Sequence, residues 1–217
     1  MKKLSHKQDG FTLIELMISL TVFTIVLMMC VFGIIYVGRI FYKGVTTAKT
    51  QNIARVTSDD IVRGLQFNYS ESTTFLAANP AANEPGLLCM RGVAYKFLLY
   101  RQYVNTTNPA YDWQSTYGLR KQLLNGGATC PSLTDPSWDA ATEQLGEGMR
   151  LTAFSVTPSA TADGWDVSIG VLFGDNDLLT DADEGEITGP LVKCMGSAVG
   201  SEFCAYSNLK LMVAKRI

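Results

Sequence analysis

Histidine is almost missing from this chain: His6 is the sole example in 217 residues. If the first ten residues are removed, imidazole general bases, Ser-His and Cys-His nucleophile pairs and His-ligated zinc or iron are all excluded. The sequence also has no Gly-x-Ser-x-Gly elbow, no phosphate-binding Gly-x-x-x-x-Gly-Lys loop and no Gly-x-Gly-x-x-Gly fingerprint. A hydrolase built on paired carboxylates needs none of these, but nothing in the sequence brings two such groups together, and we expect no enzyme. Basic excess is missing too: 18 Lys plus Arg stand against 20 Asp plus Glu, so the chain has no footprint for nucleic acid. Charge of either sign is absent from Leu16 to Gly38, a run of 23 residues. About 20 apolar residues are enough for a helix to cross the bilayer core.

What precedes that run is short and basic. Residues 1–10 carry Lys2, Lys3 and Lys7 against Asp9, a net +2 that favours the cytoplasmic side of a membrane. A secretory signal places a short apolar core first and a small-residue cleavage site after it. Here the order is reversed, because a cut after Gly10 removes only the charged leader and leaves the apolar helix on a mature chain beginning at Phe11. The junction Gly10-Phe11-Thr12-Leu13-Ile14-Glu15 resembles the start of the type IV pilin superfamily, over about residues 7–38. That resemblance implies processing at Gly10 and Phe11 by a membrane-embedded prepilin peptidase, methylation of the Phe11 amine, and packing of the helix into a filament core beside other pilins, with an inner-membrane assembly platform as a further partner.

Glu15 is the one carboxylate near the start of the apolar run, and a carboxylate inside a membrane calls for a partner. Cleavage creates one, because the freed Phe11 amine has a reference pKa near 8. In a poorly hydrated filament core its attraction to Glu15 of a neighbouring subunit would be strong and would set axial register. The alternative is that Glu15 complements the positive end of its own helix.

Removing the three lysines and one aspartate of the leader leaves 207 residues with 15 basic and 19 acidic side chains, a net charge of −4. Roughly 150 residues follow the first helix, enough for one head with its own core. Five cysteines are present. Cys30 lies in the membrane run and reads as a small apolar side chain. Cys89, Cys130, Cys194 and Cys204 lie in the part expected in an oxidising compartment, where an even count favours two disulfides. Three connectivities are possible, and sequential pairing keeps each loop local. Zinc is the other reading, but no Cys-x-x-Cys spacing occurs.

Beyond Gly38 the helix continues as an amphipathic half over residues 39–68. Phe41, Val45, Ala48, Ile53, Val56, Ile61 and Leu65 are expected to face the head, with Lys43, Lys49, Arg55, Asp59, Asp60 and Arg63 on the polar side. The segment Ala54 to Arg63 is similar, over ten residues, to the helix of minor pilins and pseudopilins of the PilW and PulJ types. Pro80 is the first proline, so the kink common in major pilin helices is missing, and Gly33 and Gly38 are the soft points. Residues 69–217 read as an antiparallel β head. Strands are expected over Val93–Val104, Arg150–Thr157 and Trp165–Phe173, the last with Trp165, Val167, Ile169, Val171 and Phe173 on one face. A final strand sets Leu209, Leu211 and Val213 opposite Lys210 and Lys215. Loops are expected over Asn79–Gly86, Asn105–Tyr111 and Asn125–Trp138. The fold class is α+β: a pilin-like ladle whose helix is transmembrane over 11–38 and packs on an antiparallel sheet beyond it.

Asp175, Asp177, Asp181, Asp183, Glu184 and Glu186 fall within twelve residues, and no basic residue lies between Arg150 and Lys193. Such a cluster can supply oxygens to calcium. The spacing departs from an EF-hand, having no glycine at its sixth position, so a solvated acidic loop is the simpler expectation, with calcium at Asp175, Asp177, Asp181 and Asp183 the alternative. The sequence therefore points to a non-catalytic filament subunit, a minor pilin at the initiation or tip of a type IV pilus. A pseudopilin of a type II secretion system is the runner-up, and a membrane-tethered periplasmic binding or enzymatic domain comes third. The expected location is a single inner-membrane span with the head in the periplasm, then the filament.

Overall fold

The computed structural model describes residues 11–67, 73–80, 84–100, 117–124, 129–160, 163–174, 178–180, 193–194 and 200–214. The chain divides into two units, residues 1–41 and 42–217.

A single helix, α1 (Leu13–Phe67), contributes to both. It contains no proline. In the first unit every large apolar side chain from Phe11 to Phe41 is between 47% and 84% exposed.

In the second unit α1 buries Thr50, Ala54, Thr57, Ser58, Ile61 and Leu65. These recur three and four residues apart, one face of a helix. The expected stripe is corrected here. Ile61 and Leu65 are buried as anticipated and Ile53 packs against the core, but Phe41, Val45 and Val56 are about half exposed or more and Ala48 is exposed as well. At 100° per residue Val45 and Val56 fall on the side opposite Ile61. The helix approaches the sheet through small side chains instead. A Cβ on Gly64 would stand 2.7 Å from Met90 Cε.

Ten strands follow among the described residues: β1 (Thr74–Leu76), β2 (Gly86–Met90), β3 (Val93–Phe97), β4 (Leu119–Leu123), β5 (Thr142–Glu143), β6 (Met149–Pro158), β7 (Gly164–Phe173), β8 (Leu179–Thr180), β9 (Lys193–Cys194) and β10 (Ala205–Ala214). All strand pairs are antiparallel. Strands β1 to β5 form one sheet in chain order, β10-β7-β6 a second, and β8-β9 a short third. The first two are stitched where Leu99 bridges Leu151 and the Tyr100 N–H donates to the Leu151 carbonyl at 2.7 Å.

One core joins α1 to both larger sheets: Ile61 and Leu65 meet Leu88, Tyr95, Phe97 and Leu119 from the first, and Leu151, Val156, Ile169 and Val171 from the second. Phe97 and Phe154 carry the contact between sheets, with ring centroids 4.4 Å apart, at the short limit of the separations that aromatic pairs favour. Trp165, Val167, Ile169, Val171 and Phe173 all serve this core. Leu209 and Val213 do so from β10, whereas Leu211 stays 36% exposed because no strand covers it from the far side among the described residues.

Other expectations shift. The strand begun at Val93 ends at Phe97, and residues 101–104 lie outside the described set. Gly86 opens β2 rather than closing a loop. Every residue of β2 is buried, since its second face is covered by a cluster of Leu87, Cys89, Ala94 and Trp138. Trp138 belongs to a 3-10 turn, Pro136–Ala140, capped by the Asp135 carboxylate accepting from the Ser137 N–H. Asn105–Tyr111 lies outside the described residues.

Candidate functional site: the helix start and the head that follows it

Gly10 lies outside the described residues; Phe11 is 84% exposed. Immediately after it the backbone closes into a capping box. The Thr12 N–H donates to Glu15 Oε2 at 2.9 Å, the Thr12 hydroxyl donates to the same oxygen at 2.7 Å, and the Glu15 N–H reaches the Thr12 hydroxyl at 3.4 Å. The Leu16 N–H then begins the helical ladder on the Thr12 carbonyl. Thr-x-x-Glu is the sequence signature of this arrangement, in which orphan donors at a helix start are satisfied reciprocally. Thr12, inside the Gly10 to Glu15 junction, is thus the cap of the helix start. The carboxylate of Glu15 is fixed at the end of the helix, one turn from Phe11, with its charge still without a counter-ion among the described residues.

Cys30 is a free, exposed thiol on the apolar run. In the head, Cys89 pairs with Cys130 and Cys194 with Cys204, with Cα atoms 6.0 and 5.7 Å apart. The first bridge closes 41 residues of chain beside Trp138, whose indole N–H donates to the Ser132 carbonyl at 2.8 Å. The second lies in a small cluster with Leu172 and Leu179.

A polar tie links α1 to the first sheet. Asp60, expected on the solvent side, accepts from the Tyr95 hydroxyl and from Lys121 Nζ, both at 2.6 Å. Burial pushes the Asp60 carboxyl up, but the Lys121 and Tyr95 hydrogen bonds and the Lys121 and Arg63 charges outweigh it and hold the carboxyl below its usual range. Burial and the same carboxylate push the Tyr95 hydroxyl well above the ordinary phenol range. Lys121 sits on β4, whose Leu-Arg-Lys-Gln-Leu sequence carries little apolar signal.

Asp175, Asp177, Asp181, Asp183, Glu184 and Glu186 lie outside the described residues. Among the described residues no three His, Cys, Asp or Glu side chains converge to hold a metal. Arg150 is fully buried and donates from Nη2 to the Gly174 carbonyl at 3.0 Å, one residue before Asp175.

Residues 5–31 match the family model described as the prokaryotic N-terminal methylation motif. No curated protein and no solved structure matches the chain. The motif, the helix it opens and the antiparallel sheets behind that helix together support a type IV pilin-like protein with a prepilin leader. The matched segment contains Gly10, Phe11, Thr12 and Glu15 and most of the uncharged run.

Proposed function

We propose that the chain is a minor pilin, a structural subunit at the initiation or tip of a type IV pilus. One observation carries the reading: the methylation motif opens a helix whose apolar side chains, over some thirty residues, are all exposed. Leaving about twenty large apolar side chains in water forgoes on the order of 30 kcal/mol, more than the roughly 5–15 kcal/mol that holds a typical domain together. The segment therefore belongs in lipid and then against other pilin helices. Prepilin peptidase cuts after Gly10, the Phe11 amine is methylated, and that amine meets Glu15 of a neighbour. The inner-membrane assembly platform receives the subunit with its head in the periplasm. No chemistry is assigned to the head, and the protein acts as a building block rather than an enzyme. A cation at the acidic segment 175–186 is an open addition to this reading, tested by whether calcium raises the melting point of the head.

The test is to delete the gene and shear the fibres. Fewer pili in the deletion strain, with this chain present in wild-type fibres far below the major subunit, is the expected result. Unchanged pili lacking the chain would overturn the pilus assignment. A secretion defect with normal pili would move the chain to the pseudopilin of a type II secretion system, which the same helix serves equally well.

A further inference from the structure

Among the described residues, sheet edges in this head are blunted, with one exception. The first sheet ends in β1 and β5, strands of three and two residues. The outer edge of β6 is broken by a register shift between Leu151 and Ala153, ends in Pro158, and is partly taken by Leu99 and Tyr100. Short strands, bulges and proline are the means by which edges are kept from pairing with other chains. Strand β10 has none of these three; its one charge is Lys210, which discourages pairing with a second copy of itself. It runs ten residues in unbroken register with β7, from Ala205 opposite Phe173 to Ala214 opposite Gly164. Among the described residues no backbone hydrogen bond reaches its other side. Alternate residues of β10 therefore hold N–H and C=O groups outward.

The two faces of that edge specify what would fit. On the core side Leu211 is 36% exposed, while its β7 partner Val167 is 2% exposed. An added strand with an apolar residue there would finish the core margin. On the other side Lys210 rims a groove of about 560 Å³ over the outer face of β6, β7 and β10, shared with Ser155, Thr157, Asp166, Ser168 and Met212. Lys210 makes no ion pair among the described residues, and Asp166 belongs to the next strand in, opposite Met212 rather than Lys210. A residue placed directly across from Lys210 gains most if it is acidic. A second copy of β10 has no carboxylate to offer. We propose that the free edge of β10 is a docking strand for an extended segment of a different protein chain whose side chains alternate apolar with acidic, bound by β-strand addition.

The test uses full-length protein in detergent micelles, with backbone amide exchange followed by mass spectrometry. Three ten-residue synthetic peptides are added: alternating valine and glutamate, alternating valine and lysine, and the glutamate peptide with a central proline. The glutamate peptide should slow exchange across residues 205–214, the lysine peptide should bind at least roughly threefold more weakly, and the proline peptide should leave β10 unprotected. Lys210→Glu, an exposed change that leaves the β10–β7 ladder intact, should reverse the order of the first two. Equal binding of acidic and basic peptides, an unchanged order in Lys210→Glu, or protection of β10 that appears without peptide as protein concentration rises would overturn the proposal, the last by assigning the edge to a second copy.

Discussion

The two stretches of α1 follow opposite rules. From Leu13 to Phe41 most of its side chains are large and apolar, and these are exposed on every side; from Thr50 to Leu65 its buried face is mostly small, built from Thr50, Ala54, Thr57 and Ser58 around Ile61 and Leu65. Hydrophobicity alone would rank the first stretch as the better core. The difference teaches that burial follows the partner: a helix laid on its own sheet needs close approach and a few shaped contacts, whereas a helix meant for lipid needs apolar surface all round.

Changes confined to one stretch should leave the other unaffected, and the largest separation is expected at Glu15. Glu15→Val removes the anion proposed to pair with the Phe11 amine of a neighbouring subunit while making the helix more apolar. The protein should accumulate in the inner membrane yet nearly vanish from sheared filaments, with its head melting as in wild type. Normal incorporation, measured by quantitative mass spectrometry of fibres, would reduce Glu15 to its capping role with Thr12.

Within the head, replacing Cys89 and Cys130 by alanine should cost roughly 4 kcal/mol, and replacing Cys194 and Cys204 roughly 2.5 to 3, because the first bridge closes the longer loop. Denaturant unfolding of detergent-solubilised protein gives both values, and equal losses would reject the loop-entropy account of the difference.

A smaller contrast divides the two faces of the outer helix. Ile61→Ala should destabilise the head by about 2–4 kcal/mol. Val56→Ala, on a side chain 58% exposed, should change it by less than about 0.5 kcal/mol. Equal effects would mean that the head covers both faces.

The smallest effect concerns pH. The Asp60 carboxyl is held below its usual range in the folded head, so its contribution is present above the unfolded carboxyl value of about 4 and is lost as pH falls through the lower folded value. Melting of wild-type protein should therefore drop below about pH 4 by more than melting of Asp60→Asn. Asp60 and Lys121 remain partly exposed, 37% and 24%, which keeps this increment modest. Parallel pH profiles of the two proteins would remove Asp60 from the tie between helix and sheet.

Much of this was legible in the residues. The apolar run is charge-free, the alternation from Trp165 to Phe173 matches the core face of β7, and the Gly10-Phe11 junction lies inside the matched motif. Strand β2 was missed because both its faces are buried, so Gly-Leu-Leu-Cys-Met shows no alternation. Strand β4 was missed because Arg120, Lys121 and Gln122 spend their polar groups on partners far away in sequence, the Trp138 carbonyl, Asp60 and Ser137. The helix stripe was misassigned because periodicity counts apolar residues, and here threonine, serine and alanine form the contact. Arg150 shows the same limit: it is distant from the acidic stretch in the chain and beside Gly174 in space.

The central claim is that this is a processed filament subunit, and the mature N-terminus tests it most directly. Intact-mass and N-terminal peptide analysis of protein extracted from membranes of peptidase-competent cells should show a chain beginning at methylated Phe11, with Gly10→Leu blocking the cut. A chain that retains Met1 to Gly10 in those cells would contradict the account.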